Sequence, residues 1–236
     1  MQYLSQRLAA KPSPGRGEEA GGGDLPPSPQ RERVLDAVER LAAERGLAGA
    51  TIEAIVKAAG VSSVTFYELF EGREECFVAA FDRAVDAAAA ELAGAVSPDR
   101  AEAIAGDGAG GELTWPERIA TGLRALIELI AANPGRARLC LVEAQTGGPQ
   151  LSARFEATLD RVAAQLREGR ALETAPAELP ATHEEATAGA LAWLLREGLE
   201  RGGEEAPAAL YPELIDIALA PYLEGDGRAE TTAPDG

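Results

Sequence analysis

Histidine, cysteine and positive charge are what this chain has least of. One histidine (His183) and two cysteines (Cys76 and Cys140) are spread over 236 residues. Zinc-type sites draw several His or Cys ligands from short spacings, so no metal site is expected, and His183 has no second ligand near it. The cysteines follow no Cys-x-x-Cys pattern and read as free buried thiols of a reducing cytoplasm. Catalytic signatures are missing as well. There is no Gly-x-Ser-x-Gly elbow, no His-Glu-x-x-His, and no Gly-Lys-Ser/Thr after the Gly21-Gly22-Gly23 run, so no catalytic residue and no cofactor is assigned. No segment is apolar and long enough to span a bilayer, and Met1 to Gly15 lacks the apolar centre of a signal peptide. A cytoplasmic protein with no membrane partner is expected. Lys and Arg total 22 against 39 Asp and Glu, a net charge of -17. The molecule as a whole therefore has no general affinity for nucleic acid, and a DNA-binding surface would have to gather its few cations on one side.

Strand signals are also lacking: period-two runs of Val, Ile, Thr and aromatics do not occur, while Ala, Leu, Glu and Arg dominate. The expected class is all-α, with about nine helices. Residues 1–29, rich in Pro and Gly, read as a flexible arm, and residues 225–236 as a disordered tail. Helix one is expected from Gln30 to a stop at Gly46, burying Val34, Val38, Leu41 and Ala42. Helix two opens at the N-cap Thr51 and buries Ile52, Ile55, Val56 and Ala59. Gly60 permits a left-handed turn, Ser62 can cap a third helix ending near Phe70, and a fourth runs from about Glu74 to Gly94. A Pro- and Gly-rich loop is expected over residues 97–113. Thr114-Trp115-Pro116-Glu117 reads as a capping box, and Ile119, Leu123, Leu126, Ile127 and Ile130 follow as an apolar stripe. A short helix through Leu139 to Val142 is broken at Gly147-Gly148-Pro149. The next carries Phe155, Leu159, Val162 and Leu166. Thr182-His183-Glu184-Glu185 reads as a second capping box, and the last helix covers about Ala206 to Leu223 despite Pro212 and Pro221.

The first three helices have the layout of a helix-turn-helix, which can present one helix to the major groove of DNA. Arg33 to Ala37, Gly46, Thr51-Ile52, Ile55-Val56, Ala58-Ala59-Gly60-Val61-Ser62, Thr65-Phe66-Tyr67 and Phe70 together resemble the N-terminal domain of the tetracycline-repressor (TetR) family, over about residues 31–77. The resemblance implies a DNA-binding domain at 30–76 and a helical effector-binding and dimerisation domain at 77–224. It implies a homodimer, joined through its last two long helices, that reads a roughly palindromic operator and leaves it when a small molecule binds. By position it implies phosphate contacts from Thr51, Tyr67 and Arg73, and DNA-facing side chains at Ser63 and Thr65. Lys57, Ser62 and Val64 complete the candidate DNA-binding set. Helix three departs from that pattern: it holds no Lys or Arg between Ser62 and Phe70, and it carries Glu68. Across residues 31–75 six basic residues face nine acidic ones. Bidentate guanine readout by a long cation is thus excluded for this helix, leaving thymine methyls and single acceptors to Ser63, Val64 and Thr65. Lys11, Arg16 and Arg31 could serve a minor groove instead.

An effector pocket is sought among Phe77, Phe81, Trp115, Leu123, Leu126, Ile127, Phe155 and Trp193, with Glu143 as its polar member, although helix-spaced aromatics more often make ordinary core. Glu143 and Gln145 are expected at an exposed helix end, Glu184 and Glu185 on a solvated face. Ala186, Gly189 and Ala190 form a small-residue strip beside Trp193 suited to close helix approach. The expected function is a ligand-responsive DNA-binding regulator, a repressor released by a small apolar or amphipathic effector. The alternative is a helical dimeric interaction protein of the same architecture that has lost its DNA contacts.

Overall fold

A computed structural model describes residues 28–97, 113–202 and 206–223. The expected arm and tail, with Lys11 and Arg16, and the expected loop at 97–113 lie almost wholly outside the described residues. Among these residues there are nine helices and no strand. They are α1 (Pro29–Gly49), α2 (Ile52–Ala59), α3 (Ser63–Leu69), α4 (Arg73–Ala95), α5 (Trp115–Ala132), α6 (Pro134–Leu141), α7 (Pro149–Arg167), α8 (His183–Gly202) and α9 (Tyr211–Leu223). Short 3-10 turns at Glu143–Gln145 and Glu168–Ala171 and a single helical turn at Ala206–Ala209 join them. The last helix expected from Ala206 is therefore broken at Leu210, with Pro212 in the first turn of α9, where a missing N–H costs nothing.

Local chemistry sets most boundaries. Ser28 caps α1, its hydroxyl accepting from the Arg31 N–H at 3.2 Å. Gly46 takes φ 68° and ψ 170° inside the stretch Pro29–Gly49, so the helix proper stops there and Leu47 to Gly49 form a separate turn. The capping box at Thr114 forms: the Glu117 carboxylate accepts from the Thr114 N–H at 2.8 Å and from its hydroxyl at 2.7 Å.

Two apolar clusters build the interior. The first joins Val34, Leu35, Val38 and Leu41 of α1 to Ile55, Phe66 and Phe70, and runs on through Phe77, Ala80 and Phe81 of α4 to Leu139, Ala144 and Leu151. The second holds Trp115, Ile127 and Ile130 of α5 against Leu166, Leu191, Leu195, Leu214, Leu219 and Tyr222. The N-terminal unit is thus seated on α6, the Glu143–Gln145 turn and α7 by a shared core. Cys76 is fully buried, Cys140 is half-buried, and both are free. Burial pushes each thiol up to about 12.

Several expectations about the second cluster change. Glu184 lies on no solvated face; it is completely buried. Its carboxylate accepts from Arg170 Nε at 2.7 Å, from Arg170 Nη2 at 2.9 Å and from the Tyr222 hydroxyl at 2.9 Å. Arg170 also donates to the carbonyls of Leu179 and Pro180, so the buried charge is paired and saturated with hydrogen bonds, as a buried charge must be. His183 is half-buried, its ring edge-on to Tyr222 at 5.7 Å. Glu143 is also buried, at 8% exposure, and does not mark an exposed helix end, whereas Gln145 is exposed.

Candidate nucleic-acid interface

Each boundary of the α2–α3 pair is fixed by a side chain or a glycine. The Thr51 hydroxyl accepts from the Ala54 N–H at 3.2 Å and so caps α2. Gly60 closes α2 in the left-handed conformation, φ 64° and ψ 40°, and the Val61 N–H donates back to the Val56 carbonyl at 3.1 Å. Such a turn folds the chain back sharply with no Cβ penalty only at glycine. Ser62 then caps α3, accepting from the Thr65 N–H at 3.0 Å, with the two hydroxyls 2.9 Å apart.

The packing of α3 decides what it shows to solvent. Phe66 is wholly buried and Phe70 nearly so, with their ring centroids 5.6 Å apart. The side chains at i+1 and i−2 relative to Phe66 must therefore point away. Val64 is 69% exposed and Tyr67 58%, the two most exposed large apolar residues of the described chain. The Tyr67 ring rests edge-on against Phe66 at 5.6 Å, which orients it while leaving the hydroxyl in water. Ser62, Ser63 and Glu68 are exposed beside them, while Thr65 is half-buried. Most of the Val64 and Tyr67 side chains is thus left in water, outside the monomer's own core.

The cations around this surface are mostly committed. Arg40 Nη2 donates to the Ala58 carbonyl at 3.0 Å, satisfying the C-terminal end of α2. Arg31 stacks on Phe70 at 5.3 Å and Arg73 on Phe77 at 5.5 Å. Lys57, in the last turn of α2, is exposed and makes no ion pair among the described residues. Arg73 is exposed at the first position of α4. Ser62, Ser63, Val64 and Tyr67 thus share one outward surface of α3, Thr51 and Lys57 bound α2, and Arg73 opens the next helix.

The residues sought for an effector pocket are not brought together. Phe77 and Phe81 belong to the first cluster, with Phe155 packed against it. Trp115 and Ile127 belong to the second, with Leu123 and Leu126 packed against it. Trp115 is a core residue, its indole N–H donating to the Gln165 carbonyl at 3.0 Å. Trp193 is 49% exposed and lines no interior space. It sits on the face of α8 opposite Leu191 and Leu195, a consequence of helical period that its apolar character alone conceals. Glu143 is engaged elsewhere: its carboxylate accepts from the Leu47 N–H at 2.8 Å. A cleft of about 620 Å³ lies between α1 and α4 and is lined by Arg31, Glu32, Asp82, Arg83 and Asp86 with their neighbours. It contains none of the residues sought. The buried carboxylates Glu143 and Glu184 escape sequence reasoning, since their partners stand 96 residues away (Leu47) and 14 and 38 residues away (Arg170 and Tyr222).

A short helix pair, a glycine turn and a capped second helix with an exposed, uncharged contact surface define a helix-turn-helix protein. Residues 34–80 match the model of the bacterial regulatory proteins of the tetR family. That match covers the N-terminal domain, and over most of its length the chain shares the fold of solved TetR-family regulators. Over 81% of its length it superposes on 95% of the fatty acid degradation regulator FadR from Bacillus halodurans, at 19% identity and a TM-score of 0.63. FadR from Bacillus subtilis, solved in complex with stearoyl-CoA, matches over 80% of this chain and 98% of its own, at 16% identity and a TM-score of 0.61. A TetR-family transcription regulator from Marinobacter aquaeolei VT8 matches over 80% and 93%, at 19% identity and a TM-score of 0.58. No curated protein sequence matches the chain. No helix among the described residues is long and apolar enough to cross a membrane.

Proposed function

We infer that this protein is a homodimeric, ligand-responsive repressor that binds an operator through α3 and is released from it by a small apolar or amphipathic effector. The observation that carries the reading is the outward surface of α3, where Val64 and Tyr67 stand in water although the core beneath them is complete. In this reading Ser63, Val64 and Thr65 meet base edges, Tyr67 offers its hydroxyl to a phosphate, and Thr51, Ser62, Lys57 and Arg73 hold the backbone. Effector release requires the effector to bind the DNA-incompetent arrangement more tightly than the competent one. The stearoyl-CoA complex of one structural relative makes long-chain acyl thioesters the first class to test.

The cation-free α3, with Glu68 exposed, favours the alternative of an interaction protein that has lost its operator. Fluorescence anisotropy with duplexes selected from a random library decides between them. Saturable binding to a selected palindrome, reversed by acyl-CoA, supports the repressor. Enrichment of no sequence by the folded dimer leaves the interaction protein as the better account.

A further inference from the structure

The N-terminal unit is tied to the rest of the molecule at a point no DNA contact explains. When Gly46 breaks α1, the Leu47 N–H is left without a helical acceptor. The carboxylate of Glu143, 96 residues further on, takes that proton donor at 2.8 Å in a buried setting. Arg138 Nε approaches the other carboxylate oxygen at 3.4 Å. The fit is close on both sides. A Cβ on Gly46 would lie 2.9 Å from Glu143 Oε1, and one on Gly147 would lie 2.9 Å from Leu47 Cδ1. Leu47 itself is only 3% exposed, seated under the turn that Glu143 begins. A second tie holds α1 earlier: Arg136 Nε donates to Glu39 Oε2 at 2.9 Å, and a Cβ on Gly135 would lie 3.0 Å from the Glu39 carbonyl. Glu39 lies seven residues before the break at Gly46, about 10 Å at the helical rise, and Leu47 follows directly after it. Together with the shared core and the Arg83 bridges to Glu32, Asp36 and Glu39, the two ties fix the direction of α1. Because α2 and the α3 core pack on α1, the direction of α1 is the direction of the reading helix.

We propose that Glu143 is a positioning residue for DNA binding: it locks the helix-turn-helix unit at one angle to the dimerising body and thereby sets the half-site spacing the dimer accepts. The inference rests on the repressor reading given above. A buried carboxylate is a costly way to satisfy one N–H, and a turn packed by leucines alone would seat Leu47 as well. A directional bond at the break in α1 instead fixes the angle, which packing alone does not. The same joint lies between α6 and α1, so Glu143 is also where a shift of α6 would reach the reading helix.

The test uses the full chain and palindromes whose half-sites are separated by spacers lengthened or shortened one base pair at a time. Each step rotates one half-site by roughly 35° about the duplex axis, so a rigid dimer must discriminate. Wild type is expected to prefer one spacing by about tenfold or more, and Glu143→Ala to flatten that preference to about twofold, with binding to an isolated half-site unchanged. Glu143→Gln keeps an oxygen acceptor for the Leu47 N–H and is expected to restore the wild-type profile. A folded, dimeric Glu143→Ala protein with the wild-type spacing profile would overturn the proposal. A second readout needs no DNA: spin-label distances between Lys57→Cys and Arg161→Cys, in a Cys76→Ala, Cys140→Ala background, should be narrow and should broaden on adding Glu143→Ala. If wild type selects no duplex, the repressor reading fails, and an unbroadened distance distribution then overturns the lock on its own account.

Discussion

Glu184, a buried carboxylate far from α3, carries a pH dependence that its fold partners dictate. Its carboxyl is held down at about 2, against an ordinary 4.5, chiefly by the hydrogen bonds from Arg170, helped by the Tyr222 hydroxyl and opposed by burial. The folded state therefore binds a proton more weakly than the unfolded one. The stability this contributes is complete above the unfolded value near 4.5 and is lost as pH falls from there toward 2. Glu184→Gln keeps the shape and removes the charge. The difference in urea-unfolding free energy between it and wild type should be flat from pH 7 to about 5 and should shrink below that. A difference that grows on acidification would show the carboxylate to be a net burden in the fold. Glu184→Ala also removes the acceptor of Arg170 and of the Tyr222 hydroxyl and leaves a cavity, so it should destabilise more than Glu184→Gln at pH 7. The thiols behave conversely: with both pushed up to about 12, they should react with thiol reagents at pH 8 far more slowly in native than in urea-unfolded protein.

At the scale of elements, the α2–α3 turn is governed by its glycine and its caps. A Cβ on Gly60 would meet nothing within 4 Å, so Gly60→Ala should cost only the left-handed backbone strain, roughly 1–2 kcal/mol. Thermal unfolding checks this, and a larger loss would mean that the turn rearranges. Ser62→Ala should cost about 1 kcal/mol as a lost cap. This turn was legible in the sequence because its determinants are local: Thr51, Gly60 and Ser62 act within four residues of themselves, and Phe66 and Phe70 share one helical face. Trp115 and Trp193 show the limit of such reading. Both sit on amphipathic helices and both read as pocket lining, yet one is sealed against Tyr222 at 4.9 Å and the other is half in water. Which face a helix buries depends on neighbours that sequence periodicity does not name. Glu143 and Glu184 fail for the same reason, since a carboxylate looks solvated until its distant partner is known. The capping motif at Thr182 to Glu185 misled in particular: Glu185, which fits the box pattern, is exposed and pairs with Arg167, while its neighbour Glu184 turns inward to Arg170.

For the molecule as a whole, the charge of -17 sets two opposed salt dependences. If Lys57 and Arg73 are the cations that meet phosphates, a dimer neutralises four, and log K for the operator should fall against log salt with a slope of roughly −4. Lys57→Gln should remove about 2 from that slope, and an unchanged slope would take Lys57 out of the interface. Dimerisation should respond the other way, because joining two strongly acidic chains is easier when salt screens their repulsion. We propose that two copies join through the face where Trp193 stands exposed beside Ala186, Gly189 and Ala190 on α8, with open space around a Cβ built on Gly189. Small residues let a second helix come close, and an exposed tryptophan supplies the kind of anchor that dominates interface energies. In the monomer Trp193→Glu replaces one solvent-facing side chain by another and should change stability by about 0.5 kcal/mol or less. Between two copies it buries a charge at the centre of the contact, so sedimentation equilibrium should show dimer affinity falling by about 30-fold or more. Operator binding should then drop to the level of an isolated half-site, since linking the two half-site contacts is what raises affinity for a palindrome. A Trp193→Glu protein that stays dimeric would place the interface elsewhere, and binding between α7 faces, where Val162 is exposed, would be the next arrangement to test by the same substitution.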